Sequence, residues 1–189
     1  MTPATTVQGI CCHFAELFSY PTAELAATVA ACSTLLRKDY PESVSSLERF
    51  TGFLHAQLPA RVEEIYTATF DLQPVCHPYV GYQLCGESQQ RAMFLMQLNR
   101  LYRRYGFEAG FELPDHVSTL LRFIGSHAPE DCRRELIEDG LLPALAKMEE
   151  GLDSADHPYL APLQSLRNFL QAVVEPELPA TGRLEECPL

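Results

Sequence analysis

Apolar side chains recur every three to four residues through most of this chain, and no stretch alternates in the way a half-buried strand requires. Ile10, Phe14, Leu17 and Phe18 share one helical face, which Tyr20-Pro21 brings to an end. Leu25, Val29, Cys32 and Leu36 form a second face, and Val44, Leu47, Phe50 and Leu54 a third, entered after Pro41. Pro59 opens a fourth helix with Val62, Ile65, Thr69 and Phe70 on one side. The signal then stops from Asp71 to Gly86. Pro74, Pro78, Gly81 and Gly86 punctuate that segment, while Val75, Tyr79, Val80, Tyr82 and Leu84 keep it apolar, which predicts a packed but irregular connection. Helix resumes after Ser88, a cap residue, with Phe94, Leu98, Leu101 and Tyr105 on one stripe and Gly106 as its stop.

Beyond the loop 107–111, Pro114 is expected in the first turn of another helix, with Glu112 and Asp115 at its positive end and Val117, Leu120, Leu121 and Ile124 as its buried face. Cys132, Leu136, Leu145 and Met148 suggest a further helix, broken or kinked at Gly140 and Pro143. Leu163, Leu166, Leu170 and Val173 suggest the last. The expected architecture is all-α: a single helical domain over residues 1–174, followed by an acidic, Pro-containing, mobile tail over 175–189. With 189 residues and 47% hydrophobic content, one compact domain has ample material for its core.

Twenty-five acidic against 14 basic residues give a net charge of −11, which argues against nucleic-acid binding and favours basic partners. No Lys or Arg precedes Arg37, and no apolar run is long enough to span a bilayer. Seven cysteines at irregular spacing do not form a disulfide framework, and together these features predict a reduced, cytoplasmic location.

Motifs for catalysis are missing: no phosphate loop, nucleophile elbow or zincin histidine pair occurs. Cys76-His77 with Cys85, and Cys11-Cys12-His13, lack the second short-spaced pair that a zinc site needs, so most of these cysteines read as small core residues. The cluster Glu112 to His116 reads either as an acid/base group or as a well-made helix start. Phe70, Tyr79, Tyr82, Phe94 and Tyr102 can line a groove for one face of a partner helix or fill the core; Phe70 and Phe94 suit the core, Tyr79 and Tyr82 the groove. Asp71 either pairs with a partner's cation or caps the turn after the fourth helix.

The order of Phe70-Asp71-Leu72, Pro78-Tyr79-Val80-Gly81-Tyr82, Gly86-Glu87-Ser88, Tyr105-Gly106 and Glu112-Leu113-Pro114-Asp115-His116 resembles the TorD/DmsD/NarJ family of molybdoenzyme assembly chaperones, closest to the nitrate reductase delta-subunit branch. Glu112, Pro114, Asp115 and His116 match the signature that the family associates with leader-peptide binding, with Leu113 inserted in the manner of that branch. The resemblance implies a helical chaperone without catalytic activity. Its partner would be the N-terminal leader of an apo molybdoenzyme catalytic subunit, a nitrate reductase or a close relative. It would hold no permanent cofactor, assist insertion of molybdopterin guanine dinucleotide into the client, and be a monomer or weak dimer. The implied peptide-binding residues are Phe70, Asp71, Tyr79, Tyr82, Tyr102, Glu112, Asp115 and His116. Gln89-Gln90-Arg91 departs from the more basic run expected after Gly86-Glu87-Ser88. A metal-binding helical enzyme and a permanent helical scaffold subunit are the alternatives.

Overall fold

A computed structural model describes residues 3–72, 74, 76–152 and 154–175, with side chains from residue 6 onward. The expected tail beyond Glu175, and Val75 in the irregular segment, lie outside the described residues. The helices are α1 (Pro3–Leu17), α2 (Leu25–Asp39), α3 (Pro41–Ala56), α4 (Pro59–Phe70), α5 (Val80–Cys85), α6 (Gln89–Arg104), α7 (Val117–Ser126), α8 (Glu130–Glu135), α9 (Leu142–Glu150) and α10 (Leu160–Val174). A π-helical turn, Leu136–Leu141, joins α8 to α9. Among the described residues there is no strand, only an isolated antiparallel bridge between Tyr79 and His116.

Each predicted face is the face that packs. Ile10, Phe14, Leu17 and Phe18 of α1, and Leu25, Val29, Cys32 and Leu36 of α2, are all buried. α1 lies against both α2 and α7, α3 against α2 and α10, and α9 against α10 and α5. α7 is buried nearly all round and is correspondingly central: Val117, Leu120, Leu121, Phe123 and Ile124 are buried, and so are the polar Ser118 and Thr119. Phe123 alone removes enough apolar surface from water to contribute about 2–3 kcal/mol. It packs against Tyr102 and Phe107, with ring centroids 4.8 and 5.4 Å away. A second aromatic group gathers Phe70, Tyr66, Phe50 and Tyr159 where α3 and α4 meet the start of α10.

The structure corrects the sequence reading in two places and gives form to it in a third. The segment 71–86 is not irregular throughout, because Val80–Cys85 forms the short helix α5, less than two turns and too brief to show a period. Pro114 precedes the helix instead of starting it. The N-cap is His116, whose Nδ1 accepts from the Ser118 backbone N–H at 3.1 Å. At Gly140 and Pro143 the α-helical pattern is interrupted as expected, though the helix does not end: the π turn holds Gly140, and Pro143 follows in the first turn of α9, where a missing N–H is cheapest. Of the cysteines, Cys11, Cys32 and Cys76 are buried as expected, but Cys85 is exposed.

Candidate functional site

Three separated stretches converge where the bridge between Tyr79 and His116 forms. The Val80 N–H donates to the Asp115 carbonyl at 2.8 Å, and the Val117 N–H donates to the Pro78 carbonyl at 2.9 Å, so residues 78–80 and 115–117 are stitched together by main chain. The third stretch is the first turn of α6. There Arg91 Nε donates to Asp115 Oδ2 at 3.0 Å and its Nη2 reaches Oδ1 at 3.5 Å. Arg91 also pairs with Glu87. Its guanidinium lies 5.3 Å from the Tyr79 ring and 5.7 Å from the Tyr82 ring, within cation–π range of both.

Local sequence explains the closeness. Gly81 sits beneath this ion pair. A Cβ there would lie 2.9 Å from Asp115 Oδ2, 3.0 Å from Phe94 and 3.1 Å from Arg91, so only glycine lets α5 approach. Burial on its own would lower the Arg91 pKa; the hydrogen bond and charge of Asp115, with Glu87, outweigh it and keep the guanidinium firmly charged.

The eight sequence-predicted residues divide by position. Tyr79, Tyr82, Asp115 and His116 are brought together: the Tyr79 ring meets His116 edge-on at 5.3 Å, and Tyr82 lies against His77 at 3.8 Å. Asp115, one of the residues the resemblance implies for peptide binding, does not lie on the surface. It is 0% exposed and already engaged by Arg91. His116 is 3% exposed, and burial followed by the nearby Arg122 charge depresses its pKa to about 4. Tyr102 and Phe70 take the core alternative, the one the sequence favoured for Phe70. Both are buried, Tyr102 with its hydroxyl donating to the Pro114 carbonyl at 2.7 Å and Phe70 among Phe18, Tyr66 and Tyr159.

Asp71 and Glu112 are exposed. Both act on one pair of phenols. Burial first, then Glu112 and Asp71 among the neighbouring charges, push the pKa of Tyr66 and of the half-buried Tyr79 upward. Leu72, Phe111 and Leu113, each next to one of these acids in sequence, are exposed apolar side chains. The segments that flank the junction therefore expose acidic and apolar side chains next to one another in sequence.

Arg91 is the residue that sequence reasoning missed as a partner of Asp115. Its signal was a local conflict. Ser88 caps α6 and so places Arg91 in the first turn, where a cation opposes the helix dipole unless a tertiary carboxylate compensates.

The junction holds one close hydroxyl–imidazole pair. Ser118 Oγ lies 2.7 Å from His116 Nδ1, the separation of a nucleophile and its base. Both are buried, and the same Nδ1 accepts from the cap amide, so no substrate carbonyl can reach the hydroxyl. Among the described residues no group of three or more His, Cys, Asp or Glu is placed to hold a metal ion, and no helix is long and apolar enough to cross a membrane.

Fold and junction together define an all-helical protein whose signature carboxylate and imidazole are engaged internally, flanked by segments that expose acidic and apolar side chains. More particularly, the chain belongs to the nitrate reductase delta subunit family, whose model matches residues 33–176. Among solved structures it is similar to a candidate redox enzyme maturation protein from Archaeoglobus fulgidus, at 19% identity over 87% of this chain and 93% of that one, with a TM-score of 0.60. At that identity the likeness is one of fold. No curated protein matches the sequence.

Proposed function

We propose that the chain is a cytoplasmic assembly chaperone that binds the N-terminal segment of a molybdoenzyme catalytic subunit. It holds the apoenzyme while molybdopterin guanine dinucleotide is inserted, without turnover of its own. Membership of the delta subunit family supports this reading, and the helical fold is compatible with it. The observation that carries it is the exposure of Asp71 and Glu112, whose charges both act on Tyr79 and Tyr66, with the exposed Leu72, Phe111 and Leu113 next to them in sequence. A basic amphipathic segment complements such a surface: its apolar face covers the exposed aliphatic and aromatic side chains, and its Lys or Arg residues meet the two carboxylates. Apolar contact supplies most of the affinity, while the charges govern association rate and selectivity.

Calorimetric titration of the full chain with synthetic N-terminal peptides of the source organism's molybdoenzyme catalytic subunits tests the proposal. One peptide is expected to bind at a one-to-one ratio and to weaken only severalfold when salt rises from low to physiological ionic strength, because screening removes the charge contribution alone. Absence of binding by every such peptide, or complete loss of binding at moderate salt, would contradict it.

A further inference from the structure

Three surface hollows of about 560, 610 and 180 Å³ meet at the corner where α1 gives way to α2. They adjoin one another around shared residues, and together they are called the trench. Tyr20 lines the first two, Thr22 and Leu25 line the second and third, and Glu63 lines the first and third. The sequence reading treated Tyr20 only as a helix end, yet the ring is 55% exposed. It stands edge-on to Tyr66 at 5.7 Å, and its hydroxyl donates to Glu63 Oε2 at 3.4 Å. A large aromatic left in water beside the exposed Leu72 and the buried Leu25 is a ready anchor for apolar side chains.

The charges along this trench have one dominant sign. Glu16, Glu24, Glu63 and Glu64 line it against Arg122. Arg122 donates to Ser19 Oγ at 3.2 Å and to Ser118 Oγ at 3.4 Å, bracing the end of α1 against the start of α7. Ser118 in turn contacts His116, and the Tyr66 hydroxyl donates to the Phe18 carbonyl at 3.2 Å, so buried hydrogen bonds behind the trench lead toward the junction described above. Asp71, which follows α4 and precedes the trench residue Leu72, also acts electrostatically on Tyr20.

We infer that the client's segment is seated in this trench, apolar side chains against Tyr20, Leu25 and Leu72 and Lys or Arg side chains toward Glu63, Glu64 and Asp71. The inference rests on the chaperone reading and locates its binding site on α1, α2 and α4, beyond the junction residues. Charge complementarity selects the occupant. A second copy of this chain, itself carrying −11, and an anionic lipid surface are both opposed by the same carboxylates that favour a basic segment.

The test uses full-length protein, the peptide that binds in the calorimetric titration, and backbone amide NMR shifts. Bound peptide is expected to shift resonances across residues 19–28 and 60–72. Tyr20→Ala should weaken binding about tenfold, as loss of an aromatic anchor does, while Tyr20→Phe changes it little. Glu63→Gln with Glu64→Gln should weaken it about threefold or more at low salt, whereas the charge-matched pair Glu42→Gln with Glu48→Gln on α3 should leave it unchanged. Circular dichroism verifies that each variant folds. A peptide that binds wild type and the Tyr20→Ala variant equally, with shifts confined to the 78–82 and 112–116 segments, overturns the trench and leaves the chaperone reading standing. If no peptide binds at all, both fall.

Discussion

Removing Arg91 should destabilise the fold more than removing its partner. Asp115 is fully buried, and its carboxylate has the Arg91 guanidinium as its side-chain partner. Arg91→Ala leaves that buried carboxyl without its guanidinium partner under α5, which costs about 3–5 kcal/mol for a broken buried pair. That is a large part of the ~5–15 kcal/mol by which a typical domain is stable. Asp115→Ala leaves Arg91 still paired to Glu87, whose side chain is 74% exposed, so the guanidinium can turn toward water. Losing the charged hydrogen bond then costs about 2 kcal/mol. The double variant removes both charges and should be less destabilised than the two losses added, by a coupling of about 1–3 kcal/mol. Urea denaturation of the four proteins, followed by helical circular dichroism, measures all three quantities. If Arg91→Ala costs under about 1 kcal/mol, or the losses simply add, the pair does not fasten α6 to the 112–116 segment and the argument for the junction is wrong.

Two further outcomes follow from the same geometry. Folded His116 titrates near 4, below its ordinary 6.5, so its unfolded form takes up a proton first as pH falls; stability is fully present above pH 6.5 and is lost between pH 6.5 and about 4, by roughly 3 kcal/mol, and His116→Asn, which caps without titrating, should flatten that part of the stability–pH curve. Gly125→Ala within α7 would ordinarily gain up to about 1 kcal/mol of helix propensity, but its Cβ would lie 2.8 Å from Cys11 Cβ, so overpacking of about 1–3 kcal/mol should win and the melting temperature should drop.

The helices were legible because each reports its own buried face: Leu25, Val29, Cys32 and Leu36 need no knowledge of what covers them. The ion pair was not, because its members are 24 positions apart and periodicity says nothing about which helix meets which loop. Asp115 and His116 stood out as a cluster, but a sequence does not distinguish an exposed acid from one matched to a distant guanidinium. Their proximity to Tyr79 was anticipated in substance, and the backbone bridge between Tyr79 and His116 gives its physical form. α5 escaped notice because six residues carry too little period to separate helix from turn. The trench around Tyr20 was invisible for a different reason. Its walls come from α1, α2, α3, α4 and α7, and each wall alone reads as an ordinary solvated face.

What the protein does is decided most directly by isolating it with its partner from cells grown under conditions that induce molybdoenzymes. The partner's cofactor content is then compared with that of the mature enzyme. The assembly-chaperone reading expects a molybdoenzyme catalytic subunit that retains its N-terminal segment, lacks molybdopterin guanine dinucleotide, and dissociates once loaded. Recovery of the fully loaded, active enzyme in stable stoichiometric complex with this chain would contradict it and make the chain a permanent subunit.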